Sequence, residues 1–214
     1  MGCATYRHGD LRRVLVDLAR HAVVEGGLGK LSMRWLASRA GVSVAAPYHH
    51  FTDRGDLLLA VAERGFDELF VRLRNALDIA PPANGGPVRL LCLSEAYVRF
   101  AREQRALCRL MMQVCREEAR RPHRPDAPAS HCFALLRDEV RRAGLASNPR
   151  DEIATTFGAW AAMHGAADLQ VAAPTDCGDS DRADDLCRRL LSGLFTSRNE
   201  PAGPFPAPSG DDHD

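Results

Sequence analysis

Apolar residues recur every three or four positions along most of this sequence, which is the spacing that brings them onto one face of an α-helix. Between residues 11 and 23 they are Leu11, Val14, Leu15, Leu18, Ala22 and Val23, and a longer series runs from Leu57 to Leu77. No stretch alternates between apolar and polar residues as a half-buried strand does. The sequence therefore predicts an all-α fold, with later helices at roughly residues 88–103, 106–121, 129–143, 150–172 and 181–196.

Two short segments near the N-terminus have the signals of a helix-turn-helix. Ser32 is a suitable N-cap for the first segment, and Gly41 ends it at a turn that favours positive φ. Ser43 is placed to cap the second segment, which we expect to be a helix that ends near Phe51. In such units the second helix lies in the major groove of DNA. The alternative is a plain pair of packed helices that contacts no partner.

Pro47 falls within the second of these segments. In a helix interior, proline removes a hydrogen bond and clashes with the preceding turn, at a cost of about 3 kcal/mol. With Ser43 as the N-cap, Pro47 is the fourth helical residue, and its missing N–H would have bonded only the carbonyl of the cap. We therefore expect a short recognition helix with a stiff, apolar first turn. Such a helix would read DNA through thymine methyl groups, His49 and DNA shape.

The charges of the 214-residue chain sum to zero but are unevenly distributed. Residues 1–56 contain eight Arg or Lys and five Asp or Glu, residues 57–197 contain nineteen of each, and residues 198–214 contain one basic and four acidic residues. A basic N-terminal segment suits a polyanionic partner. We expect a DNA-binding domain at 1–56, a helical body at 57–197, and a disordered acidic, proline-rich tail at 198–214.

The seven cysteines are scattered and form no C-x-x-C pair, as is typical of a protein in a reducing cytoplasm. No apolar run approaches the roughly 20 residues that span a bilayer, and the N-terminus lacks the pattern of a secretory signal. We expect a cytoplasmic protein without a membrane partner. The sequence contains none of the common nucleophile, phosphate-loop or zinc-protease motifs, so neither an enzyme nor a cofactor or metal is predicted.

The segment LSMRWLASRAGVSVAAPYHHFTDRGDLLLAVAE, residues 31–63, resembles the DNA-binding head of the TetR family of bacterial transcriptional regulators. The matching positions are Ser32, Ala37, Ala40, Gly41, Val42, Ser43, Tyr48, His50, Phe51, Asp53, Leu57 and Leu58, and Arg54 replaces the usual lysine. The resemblance implies a three-helix head joined by a long fourth helix to a C-terminal bundle that dimerises. It also implies a homodimeric repressor on a pseudopalindromic double-stranded operator, released by a small apolar or amphipathic effector.

The same resemblance, joined to side-chain chemistry, assigns contacts with DNA. Ser32, Tyr48 and Arg54 are expected to bind phosphates. Base edges would be read by Arg34, Ser43, Ala45, Ala46 and His49. For each of these base-contacting residues, the alternative is exposure to solvent without a contact to DNA.

The segment FGAWAAMHGAADL, residues 157–169, places a tryptophan and a histidine four residues apart on one helix face. With the stretches AAPYHHF and AERGF, it resembles the TetR branch that has a WHG-type C-terminal domain. The general TetR resemblance places an effector pocket at the soft apolar, aromatic and histidine side chains of the body, all of which could equally be core residues: Tyr97, Phe100, Cys108, Met111, Met112, Phe157, Trp160 and His164. It places the dimer interface at the glycine and the apolar stripe of the last two helices: Gly165, Leu186, Leu190, Leu191, Leu194 and Phe195.

Two alternatives to an effector-released regulator stay open at the level of sequence. One is a regulator that senses a metal or an oxidant through its cysteines and histidines, for example Cys108, Cys115, His131 and Cys132. The other is a helical protein that binds a small molecule and no DNA.

Overall fold

The computed structural model describes residues 11–26, 29, 31–80, 88–118, 128–172, 188–189 and 192–193. Within these ranges the chain is helical and contains no strand, which confirms the all-α prediction. The helices are α1 (Leu11–Gly26), α2 (Met33–Ala40), a 3-10 helix (Ala46–His49), α3 (Arg54–Asp78), α4 (Val88–Glu103), α5 (Arg105–Glu118), α6 (Pro128–Arg142) and α7 (Pro149–Ala172). The predicted tail and most of the predicted helix at 181–196 lie outside the described residues. None of the described helices is long and apolar enough to cross a membrane.

The second element of the helix-turn-helix is not an α-helix, so the prediction of a helix capped by Ser43 and ending near Phe51 was wrong. Residues 46–49 form a 3-10 helix that starts from Ala45 without a side-chain cap. The chain turns before it reaches Pro47, because the carbonyl of Ser43 accepts a hydrogen bond from the amide of Ala46 at 3.0 Å. Proline then supplies no N–H and disfavours the α conformation of the residue before it. Tight turns therefore replace an α-helix here.

One hydrophobic core extends from the N-terminal helices into the body. The central element is α3, a 25-residue helix that packs against α1 and also against α4, α5 and α6. It corresponds to the predicted long fourth helix. Its buried side chains, such as Leu57, Leu69 and Leu77, follow the apolar spacing seen in the sequence. The N-terminal helices and the body are thus two ends of one packed unit, with α3 common to both.

Two features of the core fix how its helices meet. Gly65 of α3 lies where α5 approaches so closely that a Cβ atom added there would be 2.7 Å from the sulfur of Met111. Arg89 of α4 forms a 2.7 Å ion pair with the buried Glu139 of α6, and it also donates a hydrogen bond to the carbonyl of Leu77 at 3.2 Å. The glycine sets the distance between α3 and α5, and Arg89 joins α4 to α6 through its ion pair and to α3 through its hydrogen bond.

Candidate DNA-binding surface and effector pocket

Local hydrogen bonds hold the first element of the helix-turn-helix in place. The side-chain oxygen of Ser32 accepts a hydrogen bond from the amide of Trp35 at 3.1 Å, so Ser32 caps α2 as predicted. Gly41 has φ 69° and ψ 31°, and its amide donates to the carbonyl of Ser38 at 3.3 Å. A side chain at position 41 would strain this left-handed backbone. Glycine therefore determines the direction in which residues 43–51, the recognition segment, leave α2.

Two buried residues anchor the recognition segment. Pro47 is buried, and Phe51 is buried with the guanidinium of Arg12 5.2 Å from its ring centroid.

Most of the side chains that we predicted to contact DNA lie on the outside of the recognition segment. Ser43, Ala45 and His49 are exposed, Tyr48 is 54% exposed, and Ala46 is half-buried. Val44, which was not among the predicted readers, is 55% exposed. Arg34 of α2 is also exposed.

The start of α3 lies beside the start of α2. The carboxylate of Asp53 accepts a hydrogen bond from the amide of Asp56, and the carboxylate of Asp56 accepts one from the amide of Thr52, both at 2.9 Å. Arg54, the first residue of α3, lies within this turn, and its Nε donates to the carbonyl of Leu31 at 3.0 Å. Since Leu31 precedes Ser32, the structure brings together two of the three predicted phosphate contacts.

A pocket of about 110 Å³ opens between α4, α5 and α7. We call it the arginine pocket; it is lined by Ala101, Arg105, Cys108, Arg109, Met112, Arg116, His164, Ala167 and Asp168. Three of the predicted effector-binding residues, Cys108, Met112 and His164, are among these. Tyr97 and Trp160 do not line the pocket, but Tyr97 contacts the lining residues Cys108 and His164. Phe100 and Met111 are fully buried and do not line it, and Phe157 is 59% exposed and contacts Phe133 of α6 instead.

His164 connects this pocket to the core. Its Nδ1 lies 2.8 Å from the hydroxyl of Tyr97, and its Nε2 lies 3.8 Å from a carboxylate oxygen of Asp168. The hydroxyl of Tyr97 is also 3.9 Å from the sulfur of Cys108, and its ring centroid is 5.5 Å from that of Trp160. Burial raises the pKa of Tyr97 far above its usual value, so the hydroxyl keeps its proton at neutral pH. The Trp160–His164 pair thus packs around one neutral, buried tyrosine.

The comparisons with known proteins agree with this architecture. The family model described as "Bacterial regulatory proteins, tetR family" matches residues 15–61, which contain the helix-turn-helix. The model described as "Tetracyclin repressor-like, C-terminal domain" matches residues 90–194. The chain belongs to the TetR family. It is a DNA-binding transcriptional regulator, as its sequence predicted. The narrower assignment to the WHG branch stays a prediction.

Solved structures resemble this TetR protein over most of their length. A protein with unknown function from Rhodococcus sp. RHA1 is 34% identical, with a TM-score of 0.64, and the match covers 89% of this chain and 100% of that one. A TetR-family transcriptional regulator from Pectobacterium atrosepticum is 25% identical, with a TM-score of 0.65 and coverages of 88% and 96%. The fatty acid degradation regulator FadR from Bacillus halodurans, at 14% identity, shares the fold, with a TM-score of 0.62 and coverages of 92% and 100%. The curated proteins gave no match.

The outer face of α7 is apolar and exposed. It consists of Ile153, Ala154, Phe157, Gly158, Ala161 and Gly165, which follow one another at helical spacing. No atom would meet a Cβ at Gly158 or Gly165 within 4 Å. Gly165, a predicted interface residue, is therefore on this face. The other predicted interface residues, Leu186, Leu190, Leu191, Leu194 and Phe195, lie outside the described residues.

The sequence interpretation missed the three arginines of the pocket. Arg105, Arg109 and Arg116 occupy positions i, i+4 and i+11 of α5, and Met112 at i+7 lies between them. At about 100° per residue these four side chains project within about 60° of one another. That spacing is visible in the sequence, but only the packing of α7 shows that this face borders a cavity.

Proposed function

We propose that this TetR protein is a homodimeric repressor that binds a pseudopalindromic operator and leaves it when a small molecule enters the arginine pocket. The observation that carries the proposal is the capped helix-turn-helix, whose recognition segment turns Ser43, Ala45, Tyr48 and His49 towards solvent. Because its target would be bacterial DNA, we place the protein in the cytoplasm.

Contacts with the DNA backbone would come from the edge where α2 and α3 begin. The N-terminus of α2 attracts phosphate through its free amides and dipole. Arg54, hydrogen-bonded to the carbonyl of Leu31, carries a positive charge beside it. The exposed hydroxyl of Tyr48 can donate to a further phosphate oxygen. These three groups would position the protein on any sequence.

Base reading would fall to a surface with few hydrogen-bonding groups. Ala45 and Val44 are exposed and apolar, which suits contact with thymine methyl groups. Ser43 and His49 are the hydrogen-bonding side chains nearby. Since a 3-10 helix offers fewer side chains to the groove than a two-turn α-helix, we expect DNA shape to contribute to specificity.

A second copy of the chain would cover the outer face of α7. Exposed large apolar side chains such as Ile153 and Phe157 mark interaction surfaces. The glycines at 158 and 165 leave room for a helix to approach closely. A two-fold contact here would present two heads to two half-sites of an operator.

Release would depend on α5, which carries pocket residues and also touches the N-terminal helices. Cys108 and Met112 line the pocket, and the neighbouring Leu107 and Met111 pack against Gly65 of α3. Close packing transmits displacement rather than absorbing it. Helix α5 also contacts α1, and α1 is tied to α3 by a 2.6 Å ion pair between Arg20 and Glu68. A ligand that moves α5 would therefore move the head as a body.

A redox or metal sensor is less well supported. Burial raises the pKa of the Cys108 thiol and raises that of Cys132 to about 12, and the pKa of Cys92 is also raised by burial. A thiol that stays protonated reacts slowly with oxidants. In the part of the chain that the structure describes, no three His, Cys, Asp or Glu side chains cluster as metal ligands do.

The test is to titrate the protein into labelled duplexes from the DNA beside the gene and to measure binding by fluorescence anisotropy at several salt concentrations. Tyr48→Phe should weaken binding to all duplexes by a similar factor, because it removes a phosphate contact. Ala45→Ser should change which base pairs are preferred in a selection from randomised half-sites. Arg74→Gln, at an exposed position of α3 in the body, is the control and should change neither property.

Two results would contradict the proposal. The absence of a salt-dependent complex with any duplex would exclude a DNA-binding regulator. Identical effects of Tyr48→Phe and Ala45→Ser would show that our division into phosphate and base contacts is wrong.

A further inference from the structure

The arginine pocket carries a charge that two other cavities of the molecule lack. A groove of about 520 Å³ between α3 and α4 contains Arg72 and Arg99, balanced by Glu95 and Glu103. A cavity of about 330 Å³ between α1 and α3 contains Arg12, Arg13 and Arg64, balanced by Asp17, Glu63 and Asp67. The arginine pocket contains Arg105, Arg109 and Arg116 against Asp168 alone. These three arginines and Asp168 together leave an excess of two positive charges.

The three arginines are not used by the fold. In the described part of the chain none of them forms an ion pair or a side-chain hydrogen bond, whereas Arg20, Arg72, Arg89 and Arg141 are all paired with carboxylates. Arginines held on one helix face at the mouth of a cleft concentrate the field on whatever enters it. Guanidinium groups also match carboxylates and phosphates in geometry.

The inner wall of the same pocket is apolar. Ala101, Cys108, Met112 and Ala167 form it, and His164 contributes a polar group at one side. The volume of about 110 Å³ is comparable to a cavity of roughly 150 Å³ that accommodates benzene. One ring or a short aliphatic chain fills such a space, and a long acyl chain does not.

We propose that the effector of this regulator is a small organic carboxylate, whose apolar body rests on Cys108 and Met112 and whose anionic group is bound by Arg105, Arg109 and Arg116. The ligand's role as an effector rests on the proposed function, whereas its chemistry is inferred from the pocket alone. It narrows the apolar or amphipathic effector implied by the family resemblance to an anionic one.

The experiment compares three carboxylates with their uncharged amides: benzoate, phenylacetate and hexanoate against benzamide, phenylacetamide and hexanamide. Binding to the full-length protein is measured by isothermal titration calorimetry, with inorganic phosphate as a test of charge without an apolar body. We expect at least one carboxylate to bind about tenfold or more tightly than its amide. The proposal is wrong if no carboxylate of the panel binds more tightly than its amide, or if inorganic phosphate binds as tightly as the best carboxylate.

Variants locate the site. Arg105→Gln and Arg109→Gln change exposed side chains, so the protein should fold normally, and each should weaken the best carboxylate by about tenfold while leaving amide binding unchanged. Arg74→Gln again serves as the control, because it removes an exposed arginine outside the pocket. Equal affinities of the Arg105 and Arg74 variants would place the anion elsewhere and refute the assignment.

Measuring duplex binding on the same samples separates this inference from the proposed function. If the protein binds DNA and no carboxylate, the regulator stands and the effector class is wrong. If it binds carboxylates in the pocket and no DNA, the pocket assignment stands and the proposed function fails.

Discussion

Replacing Gly65 with alanine should lower the stability of this protein, although alanine is the better helix former. The added Cβ would lie 2.7 Å from Sδ and 3.1 Å from Cγ of Met111, and 3.2 Å from Cδ1 of Leu107. Met111 and Leu107 have no exposed surface, so neither side chain can swing into solvent to make room. The two helices must move apart or adopt strained rotamers.

The magnitude follows from two opposing terms. Overpacking of a core by one methyl group costs about 1–3 kcal/mol, and the helix propensity of alanine returns about 1 kcal/mol relative to glycine. The two terms leave a net loss of about 0–2 kcal/mol in the free energy of unfolding, and the three contacts shorter than normal favour the upper half, about 1–2 kcal/mol. For a chain of this length each kcal/mol lowers Tm by about 2–4 °C, so Tm should fall by about 2–8 °C.

The assay is thermal unfolding followed by circular dichroism at a fixed protein concentration, since the Tm of a dimer depends on concentration. Gly158→Ala is the matched control, because a Cβ at that glycine meets nothing within 4 Å, and its Tm should stay the same or rise slightly. Met111→Ala should rescue part of the loss, so that the double variant is more stable than the sum of the single effects. A Tm for Gly65→Ala at or above that of the wild type would refute the reasoning, as would strict additivity with Met111→Ala.

Two further predictions concern the dimer and acid stability. Phe157→Glu should convert the proposed dimer to monomers in analytical ultracentrifugation, because it places a charge on the apolar face of α7. Val71→Glu changes a similarly exposed apolar position on α3 and should leave the proposed dimer intact. Equal behaviour of the two variants would rule out this face as the interface. The Glu103 carboxylate accepts a hydrogen bond from Arg72, and this bond lowers the pKa of Glu103 below the ordinary 4.5. The Arg72–Glu103 pair therefore contributes to stability above pH 4.5, and this contribution is lost as the pH falls through the lowered pKa. Because this ion pair is partly exposed, the contribution should be about 1 kcal/mol or less. The difference in stability between wild type and Glu103→Gln, measured by urea unfolding, should disappear on acidification. A difference that persists at low pH would contradict the assignment.

Much of the fold could be predicted because local chemistry determines it. Ser32 caps the helix expected of it, and Gly41 takes the positive φ that its position after α2 requires. These features depend on a few neighbouring residues, so sequence patterns carry them. Gly65 is different, since the AERGF stretch gives no sign that α5 packs against that glycine.

In the recognition segment, the sequence pattern predicted the wrong secondary structure. A serine followed by small residues is a helix-start signal, and treating Pro47 as a tolerable fourth residue kept the prediction helical. The structure instead buries Pro47 and turns the chain from the carbonyl of Ser43 onward. The missing N–H of Pro47 and its restriction of the preceding residue thus favour tight turns over an α-helix, which the helix-start signal does not reveal.

The candidate pocket was predictable only in part, for a geometric reason. Cys108, Met112 and His164 were selected as soft or polar residues within apolar helices, and they do meet in space. Phe157 was expected in the pocket because it belongs to the same segment as Trp160 and His164, but it lies on the face of α7 opposite to the core. Which face of a helix borders a cavity depends on how the bundle packs. A binding role for a charged residue such as Arg105 can be inferred only when that face is known.

The recognition segment also has a consequence for how this regulator can evolve. Its anchoring falls to Pro47 and Phe51, which are buried, whereas Val44, Ala45 and His49 contribute little to the core. Substitutions at exposed positions away from such anchors usually change stability by no more than about 0.5 kcal/mol. If these three residues read the operator as we propose, operator preference can drift, or be selected from a library at these positions, without a compensating change elsewhere in the chain. The residues that we propose for reading the DNA sequence are thus separate from the buried residues that anchor the segment.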